Sequence, residues 1–468
     1  MQEKQKRLAK NTIIFVVGSL GSKFIQFFLV PFYTYAMSTA EYGSADIVIT
    51  MSDVLMPVFS LSIADGLLRF GLDKKLKQED VLKCCFIIDN IGTLSSIACI
   101  PLFRLYSGLS QWIASFLLIL TLRIYRDFFS INLKINDKNR LFAIDSILYT
   151  LVLCICSILF LSVMKMGTQG YLLSYIMANT FSILFLSIVG KTLQEIHRGR
   201  LDKKLFEQIV KYSIPMVANA MAWWIITASD RLMVQHYMGN DAVGLYAVAT
   251  KMPSIVSTFS GVFLQAWTIS SVTEYDSDRD AAFYGQVFDE YYSVMLFAAS
   301  ALITVIRPFM HLYVSPAFQS AWIYTPLLIS SAVFSGLFGF YAGIYAAAKN
   351  SINVTITTAI GAVCNVFLNF LMIPRIGIQG AVIATYISWM TTTFIRMFDT
   401  KKFVNFTINY RKLLVMVLIN LIQGICTIKL AVLPATVISV IVLAIMYFMN
   451  KKTINSMFRM IEHKLKKD

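Results

Sequence analysis

The stretch 213–273 reads SIPMVANAMAWWIITASDRLMVQHYMGNDAVGLYAVATKMPSIVSTFSGVFLQAWTISSVT, and the rest of the chain is interpreted from it. It holds two apolar runs of about 25 residues, each long enough to cross a bilayer as a helix. The polar turn at 239–241 joins them. Asp230 and Arg231 precede that turn and Lys251 follows it, about 10–15 Å deep at ~1.5 Å of rise per residue. Charge at such depth is costly and typical of functional sites.

Each of these two runs also carries a polar stripe at helical spacing. The first stripe contains Asn219, Trp223, Thr227 and Asp230, and the second contains Lys251, Ser254, Thr258, Gly261 and Gln265. Residues three or four apart share one face of a helix. We therefore expect both helices to present these faces to protein or water, which makes Trp223 and Gln265 candidates for substrate contact.

The composition of the whole chain is that of a membrane protein. Of its 468 residues, 57% are apolar and 14% are charged, and the mean hydropathy is +0.66. A soluble domain cannot bury that much apolar surface. Because the apolar runs are continuous rather than alternating, they exclude a β-barrel. The sequence predicts an all-α, polytopic membrane protein.

Fourteen transmembrane spans are predicted from the apolar runs. They lie near residues 12–36, 44–66, 81–103, 111–133, 141–164, 168–190, 212–237, 243–270, 282–306, 324–347, 351–372, 379–397, 412–430 and 433–450. The first is too long for a cleavable signal peptide and lacks a small-residue cleavage site, so we expect it to remain in the mature protein.

The distribution of basic residues predicts the orientation. Of the 41 Lys and Arg residues, the loops on one side hold only Arg104, Lys165, Arg307, Arg375 and Lys429, and the spans hold Lys23, Arg123, Arg126, Arg231 and Lys251. The remaining 31 lie on the other side, with both termini, which is therefore predicted to be cytoplasmic. The net charge of +15 mostly reflects this bias, so no nucleic-acid partner is expected.

No enzymatic chemistry is predicted. The seven cysteines have neither a metal-binding spacing nor a disulfide pattern. The four histidines are scattered, and the VGKT sequence at 189–192 lacks the glycine that a phosphate-binding loop requires. We expect a transporter without metal or cofactor, rather than an enzyme.

Two landmarks indicate that the chain contains a repeat. Met37 and Gly43 match Met238 and Gly244 at a separation of 201 residues, and the sequences GTQG at 167–170 and GIQG at 377–380 open the sixth and twelfth spans. Because six spans are an even number, the two repeats would run parallel. The predicted domains are an N-terminal lobe at 1–211, a C-terminal lobe at 212–400, and two further spans with a basic cytoplasmic tail at 401–468.

Three parts of the sequence carry a family resemblance. They are KNTIIFVVGSLGSKFIQFFLVPFYTYAMSTAEYGSADIVIT at 10–50, SDRLMVQHYMGNDAVGLYAVATKMP at 229–253, and the paired GxQG sequences. They resemble the polysaccharide-transport branch of the multidrug/oligosaccharidyl-lipid/polysaccharide exporters, the superfamily that includes the MATE-like transporters, and within it the Wzx-type flippases of O-antigen or capsule repeat units. The resemblance implies two six-helix lobes, a bacterial cytoplasmic (inner) membrane location, and oligosaccharide on undecaprenyl pyrophosphate as substrate.

Two pairings are predicted for the charges inside the first four spans. Lys23 and Asp53 reach similar depths on neighbouring spans. Arg123 and Asp127 are spaced i,i+4 and can neutralise each other, which would leave Arg126 available for an anion such as pyrophosphate. The predicted cationic substrate contacts are Lys23, Arg123, Arg126, Arg231 and Lys251.

Acidic residues supply the candidates for ion coupling and gating. Asp230 is predicted to pair with Lys251, and Asp89 has no partner that the sequence identifies; a coupling proton or sodium ion would bind to carboxylates such as Asp53, Asp89, Asp127 or Asp230. Asp65 and Arg69, spaced i,i+4, are predicted to form a gate or topology anchor. Among the aromatics, Trp223, Trp224 and Trp267 are candidates for stacking on sugars.

Three functions stay open at this stage. The first is a flippase for lipid-linked oligosaccharide, with a polymerase and chain-length proteins as partners. The second is a MATE-like drug or cation antiporter, which would need unpaired carboxylates. The third is a polysaccharide polymerase or ligase, which would need a sizeable outside loop that the sequence lacks.

Overall fold

The computed structural model describes residues 21–276, 281–451 and 453–455, and most of them are helical. The helices of the first half are α1 (21–36), α2 (Thr39–Phe59), α3 (Ile63–Gly71), α4 (Gln78–Ala98), α5 (Ile100–Arg104), α6 (Ser107–Ser110), α7 (Ile113–Ile135), α8 (Asn139–Ser157), α9 (Gly167–Gly190), α10 (Thr192–Arg198) and α11 (Lys203–Met238). Those of the second half are α12 (Asn240–Ala249), α13 (Lys251–Asp276), α14 (Ala281–Tyr313), α15 (Thr325–Ala347), α16 (Ser351–Ile376), α17 (Ile378–Asp399), α18 (Tyr410–Lys429) and α19 (Val432–Met449). No strand occurs in these ranges, and the predicted all-α class is confirmed.

The chain forms two compact units, residues 1–244 and residues 245–468. In the first unit, α9 packs along α7 and α8, and α2 packs against α7 and α11. A buried apolar core links α3, α4, α7, α10 and α11 through residues that include Leu67, Ile88, Phe128, Ile196 and Ile209. The lobe boundaries predicted at residues 211 and 400 stay a prediction from the repeat.

The second predicted span, 44–66, is broken rather than straight. Helices α2 and α3 meet at an angle of 51°. Pro57 lies in the last turn of α2, where it removes a backbone donor and crowds the preceding turn. Leu61 and Ser62 then have φ values of 50° and 49°, which is left-handed backbone that a helix cannot continue through. The second predicted span therefore bends just after Pro57.

The eighth predicted span, 243–270, is also two helices, because α12 ends at Ala249 and α13 begins at Lys251. Pro253 lies in the first turn of α13, where a missing backbone donor costs little. The break therefore falls just before Pro253 rather than at it.

The paired GxQG sequences open helices as predicted. Gly167 begins α9 with a φ of 52°, and Gly377 precedes α17 with a φ of 63° and a ψ of −143°. Both conformations are accessible to glycine and strained for other residues. Both spans thus start at a glycine with a positive φ.

The second unit is organised around α15, whose residues are mostly buried. Helices α13, α14 and α17 pack against it, and α16 packs along α17. Helices α18 and α19 pack against α14. A polar contact helps to fix α18, because the Gln423 side chain donates to the Ser300 carbonyl and to the Thr304 hydroxyl, both at 3.0 Å.

The predicted count of fourteen spans stays a prediction. Ten described helices are long and apolar enough to cross a membrane, or eleven when α2 and α3 count as one bent span. The other three predicted spans correspond to α1, to α7 and to α17. Part of the first predicted span and most of the basic tail lie outside the described residues.

Candidate functional site

The first ion pair of the candidate site joins α2 to α7. Asp53 of α2 forms a salt bridge to Arg123 of α7. Their side chains are 19% and 26% exposed, so the pair is neither sealed in the core nor fully solvated. Arg123 therefore has Asp53, rather than the predicted Asp127, as its carboxylate partner. The proposed contact of Asp53 with Lys23, which is exposed near the start of the described chain, stays a prediction.

The second ion pair joins α2 to α11. Nε of Arg231 lies 2.7 Å from Oδ2 of Asp46, and its Nη1 donates to the carbonyl of Thr227 at 3.0 Å. The Arg231 and Asp46 side chains are 18% and 12% exposed. This arrangement holds the predicted cationic residue Arg231 on the same helix face as Thr227, one turn earlier.

These two pairs form one site, which we call the charge cluster: Asp46, Asp53, Arg123 and Arg231. The two aspartates are seven residues apart on α2 and thus lie on one face of that helix. The charges of Arg231 and Asp46 both act on Asp53. Each guanidinium carries five N–H donors in a planar fork. It can therefore bind two phosphate oxygens, either in place of its aspartate or in addition to it.

Arg126 belongs to a different arrangement, between α7, α8 and α9. Its Nη2 lies 3.1 Å from Oδ2 of Asp145, and its Nε donates to the Ser182 hydroxyl at 2.8 Å. That hydroxyl in turn donates to Asp145 at 2.5 Å. The guanidinium also lies 3.8 Å from the ring centre of Tyr149. The expectation that Arg126 has no carboxylate partner is therefore wrong, because Asp145, only 1% exposed, neutralises it.

Two acidic candidates of the first unit stand apart from these ion pairs. Asp127 of α7 is half-buried and forms no ion pair with the described residues. Asp89 of α4 is fully buried at 0% exposure, and neither of its carboxylate oxygens has a hydrogen-bond partner in the described part of the chain. The sequence-based observation that Asp89 lacks an evident partner agrees with this geometry.

The predicted gate residues are both at the surface. Asp65 and Arg69 lie on α3, directly after the break in the second span, and both are exposed. They form no salt bridge within the described residues, although they are spaced i,i+4. Their gating role stays a prediction.

The remaining candidates lie on α11 and α13. Asp230 is buried at 2% exposure, and Trp223 is 48% exposed with its ring against that of Trp224 at 5.1 Å between centres. In the second unit, Lys251 is half-buried and Gln265 is exposed. Trp223 and Gln265 are therefore accessible to a ligand, and the pairing of Asp230 with Lys251 stays a prediction.

Trp267 is a structural residue rather than a sugar-stacking one. It is 3% exposed, its Nε1 donates to the Phe340 carbonyl at 2.8 Å, and its ring stacks on Phe340 at 4.2 Å. A sugar cannot reach that face.

The sequence interpretation missed one buried cation. Arg396 of α17 is 1% exposed and lies 3.3 Å from the ring centre of Phe338. It donates to the hydroxyls of Thr357 and Thr358 at 2.9 and 3.1 Å, and to the carbonyls of Phe338 and Val354 at 3.0 and 3.1 Å. The signal was available, since Arg396 falls inside the predicted span 379–397, although the count of basic residues assigned it to the cytoplasmic side.

Comparison with known proteins places these residues in a family context. Residues 8–269 match the family model described as polysaccharide biosynthesis protein, which is more than half of the 468-residue chain. A protein of the Lsg locus of Haemophilus influenzae is 20% identical over 263 residues. That match covers 54% of this chain, and the chain spans 62% of the relative's length.

Solved transporter structures share the fold. One described as the lipid II flippase MurJ in an inward closed conformation has a TM-score of 0.72 at 17% identity, covering 94% of this chain and 100% of that one. An inward-facing multidrug resistance MATE family transporter of the MOP superfamily has a TM-score of 0.67 at 14% identity, covering 85% and 97%. The helical transporter fold that the resemblance implied is confirmed, and its division into two six-helix lobes stays a prediction.

Proposed function

Because this chain belongs to the polysaccharide biosynthesis protein family, to which its residues 8–269 match, we propose that it is a flippase for lipid-linked oligosaccharides. Its substrate would be an oligosaccharide repeat unit on undecaprenyl pyrophosphate. Ion-coupled alternating access would carry that substrate across the cytoplasmic membrane for O-antigen, capsule or other surface polysaccharide. The substrate crosses without chemical change.

The observation that carries the proposal is the charge cluster. All four of its residues lie inside the region that matches the family, and all four side chains are partly accessible. Charged groups inside membrane-spanning helices are costly to keep. Two arginines that are already neutralised by aspartates cost less than free ones and still offer unused donors.

The proposed binding step is an exchange of anions. Pyrophosphate oxygens would accept hydrogen bonds from Arg123 and Arg231, because a guanidinium matches phosphate geometry better than the ammonium group of lysine does. Asp53 and Asp46 would keep these arginines oriented before the substrate arrives. Lys251, in the second unit, is retained as a separate proposed substrate contact.

The sugar would contact accessible side chains outside the charge cluster. Trp223 offers an exposed ring that can stack on the apolar face of a sugar, and Gln265 offers an amide that can bond to hydroxyls. Lys23 and Arg126 are retained as proposed substrate contacts, and Asp127 and Asp230 as proposed ion-coupling or charge-pairing residues.

The proposed orientation has both termini in the cytoplasm of a bacterial cell, and it rests on the asymmetry of basic residues. Reporter fusions at Asn240 and at Lys401 test it. Asn240 should report an extracytoplasmic location and Lys401 a cytoplasmic one. The opposite result at either position would refute the orientation.

A polymerase and chain-length proteins are the proposed partners, because an exported repeat unit must next be polymerised.

Deletion of the gene tests the transport function. Without this protein, undecaprenyl-linked repeat units should accumulate on the cytoplasmic leaflet while surface glycan falls. Extraction of lipid-linked sugars and glycan staining measure the two quantities. Normal surface glycan, in a strain without a second flippase, would contradict the proposal.

A drug or cation antiporter is the second candidate function. The likeness to multidrug transporters at a TM-score of 0.67 and the unpartnered carboxyl of Asp89 favour it. Efflux of a fluorescent organic cation from cells with and without the protein separates the two functions. Unchanged efflux with accumulated lipid-linked sugar supports the flippase.

A further inference from the structure

Asp89 is the one acidic side chain in the described residues whose carboxylate oxygens are both buried without a hydrogen-bond partner. It lies in the middle of α4, and it is 0% exposed. Its neighbour Ile88 belongs to the apolar core of the first unit. Bulk solvent therefore does not reach this carboxylate.

Only a few titratable groups act on this side chain. They are Cys85 on the same helix, and Tyr125 and Asp127 on α7. The hydroxyl of Tyr125 is already committed to Asn90, to which it donates at 2.8 Å. The remaining charged neighbour, Asp127, has the same sign as an ionised Asp89.

The other helices that pack against α4 are α2, α3, α5, α10 and α11. Within the described residues none of these helices gives the Asp89 oxygens a hydrogen-bond partner: Asp65 of α3 and Arg104 of α5 are exposed at the surface, and Asp53 of α2 is paired with Arg123. An ionised carboxylate in this place would be buried, unpaired and repelled. Such a group takes up a proton rather than keep its charge.

We propose that Asp89 is a proton-binding site, which holds a proton as a neutral carboxylic acid in the conformation described here and releases it when the lobe rearranges. The step is an equilibrium between one carboxylate plus one proton and one carboxylic acid. Its role as the coupling site rests on the proposed transport function, whereas the protonation itself does not.

Asp89 can couple proton binding to a conformational change because its neutral acid and its carboxylate are stable in different surroundings. The neutral acid is compatible with the dry core around α4, and the carboxylate requires water or a cation. A proton that binds one conformation better than another shifts the balance between them by that difference in affinity. The break between α2 and α3, which pack on α4, is the adjacent place where the lobe can open.

Infrared spectroscopy of the purified full-length protein tests the protonation. At neutral pH the wild type should show the carbonyl stretch of a protonated carboxylic acid, shifted in D₂O, and Asp89→Asn should lack it. Glu207→Gln is the control, because Glu207 is an exposed carboxyl whose loss should leave that band unchanged. Identical bands in wild type and Asp89→Asn would overturn the proposal.

Export of glycan tests the coupling. Asp89→Asn replaces a neutral acid by a neutral amide of similar volume, so the protein should reach the membrane in normal amounts but lose export. Asp89→Glu, which keeps a titratable group, should retain export. Normal export by Asp89→Asn would overturn the coupling role. If wild-type protein also fails to restore glycan to the deletion strain, the transport proposal fails, and the infrared result still decides the proton site.

Discussion

Gly43 of α2 and Gly244 of α12 lie in direct backbone contact. A Cβ atom placed on Gly43 would lie 2.8 Å from the backbone nitrogen of Gly244 and would also collide with the carbonyl oxygen of Asn240. A Cβ on Gly244 would collide in turn with the carbonyl oxygen of Thr39. The two glycines, which the sequence repeat identifies as equivalent, therefore allow two helix backbones to cross without side chains between them.

Gly43→Ala and Gly244→Ala should each destabilise the protein. The obstacles to the added methyl group are backbone atoms that cannot rotate away, so we expect a cost of about 1–3 kcal/mol from overpacking. Thermal unfolding in detergent measures it. The matched control is Gly261→Ala, because a Cβ there meets nothing within 4 Å and alanine favours a helix. Equal melting temperatures for Gly43→Ala and the control would contradict the crossing.

Much of the fold follows from the sequence because the length of an apolar run is a local property. Apolar runs predicted the helices, and the GxQG sequences predicted where α9 and α17 begin. The break at residues 60–62 and the one at Thr250 did not follow from hydropathy, which does not register backbone conformation. Pro57 was the available signal for the first break.

The site was less predictable because ion pairs form between helices. The spacing along α7 predicted an ion pair between Arg123 and Asp127. Because α2 packs on α7, Arg123 pairs with Asp53 instead. Arg126 likewise pairs with Asp145, on the next helix. Spacing identifies neighbours within one helix, whereas these partners depend on which helices pack together and at what height.

Arg126→Gln should destabilise the first unit by leaving Asp145 buried without its cation. The loss of a charge from a buried pair costs about 3–5 kcal/mol. Adding Asp145→Asn should recover most of that loss, because it removes the orphaned charge. Thermal unfolding and the amount of membrane-inserted protein measure both effects. Arg140→Gln, which removes an exposed arginine, is the control.

If Arg126→Gln folds as well as the Arg140→Gln control, the bonds of Arg126 to Asp145 and Ser182 do not contribute measurably to stability. The direct substrate role predicted for Arg126 would then regain support. If the double variant folds normally and still fails to export, Arg126 also serves transport beyond its structural role.

Arg396→Lys should weaken the second unit although it keeps the charge. Lysine has neither the planar fork nor the reach to replace four hydrogen bonds to α15 and α16, and its compact charge is more strongly hydrated. With several bonds lost in a buried place, we expect about 2–4 kcal/mol. Arg375→Lys is the control, since Arg375 is exposed and makes one bond, to the Leu371 carbonyl. A stable Arg396→Lys variant would show that charge alone suffices.

The charge cluster can be separated into structural and ligand-binding roles with Arg123 and Asp53. Arg123→Gln leaves Asp53 unpaired, and Asp53→Asn leaves Arg123 unpaired, so each single variant should lose about 1–3 kcal/mol at this partial exposure. The double variant removes both charges and should fold nearly as well as the wild type. Export then distinguishes the roles. If Arg123 binds pyrophosphate, the double variant folds but does not export, whereas Asp53→Asn keeps some export because its arginine remains. If the double variant exports normally, the pair is a structural link between α2 and α7, and Arg231 with Asp46 becomes the part of the cluster to test next.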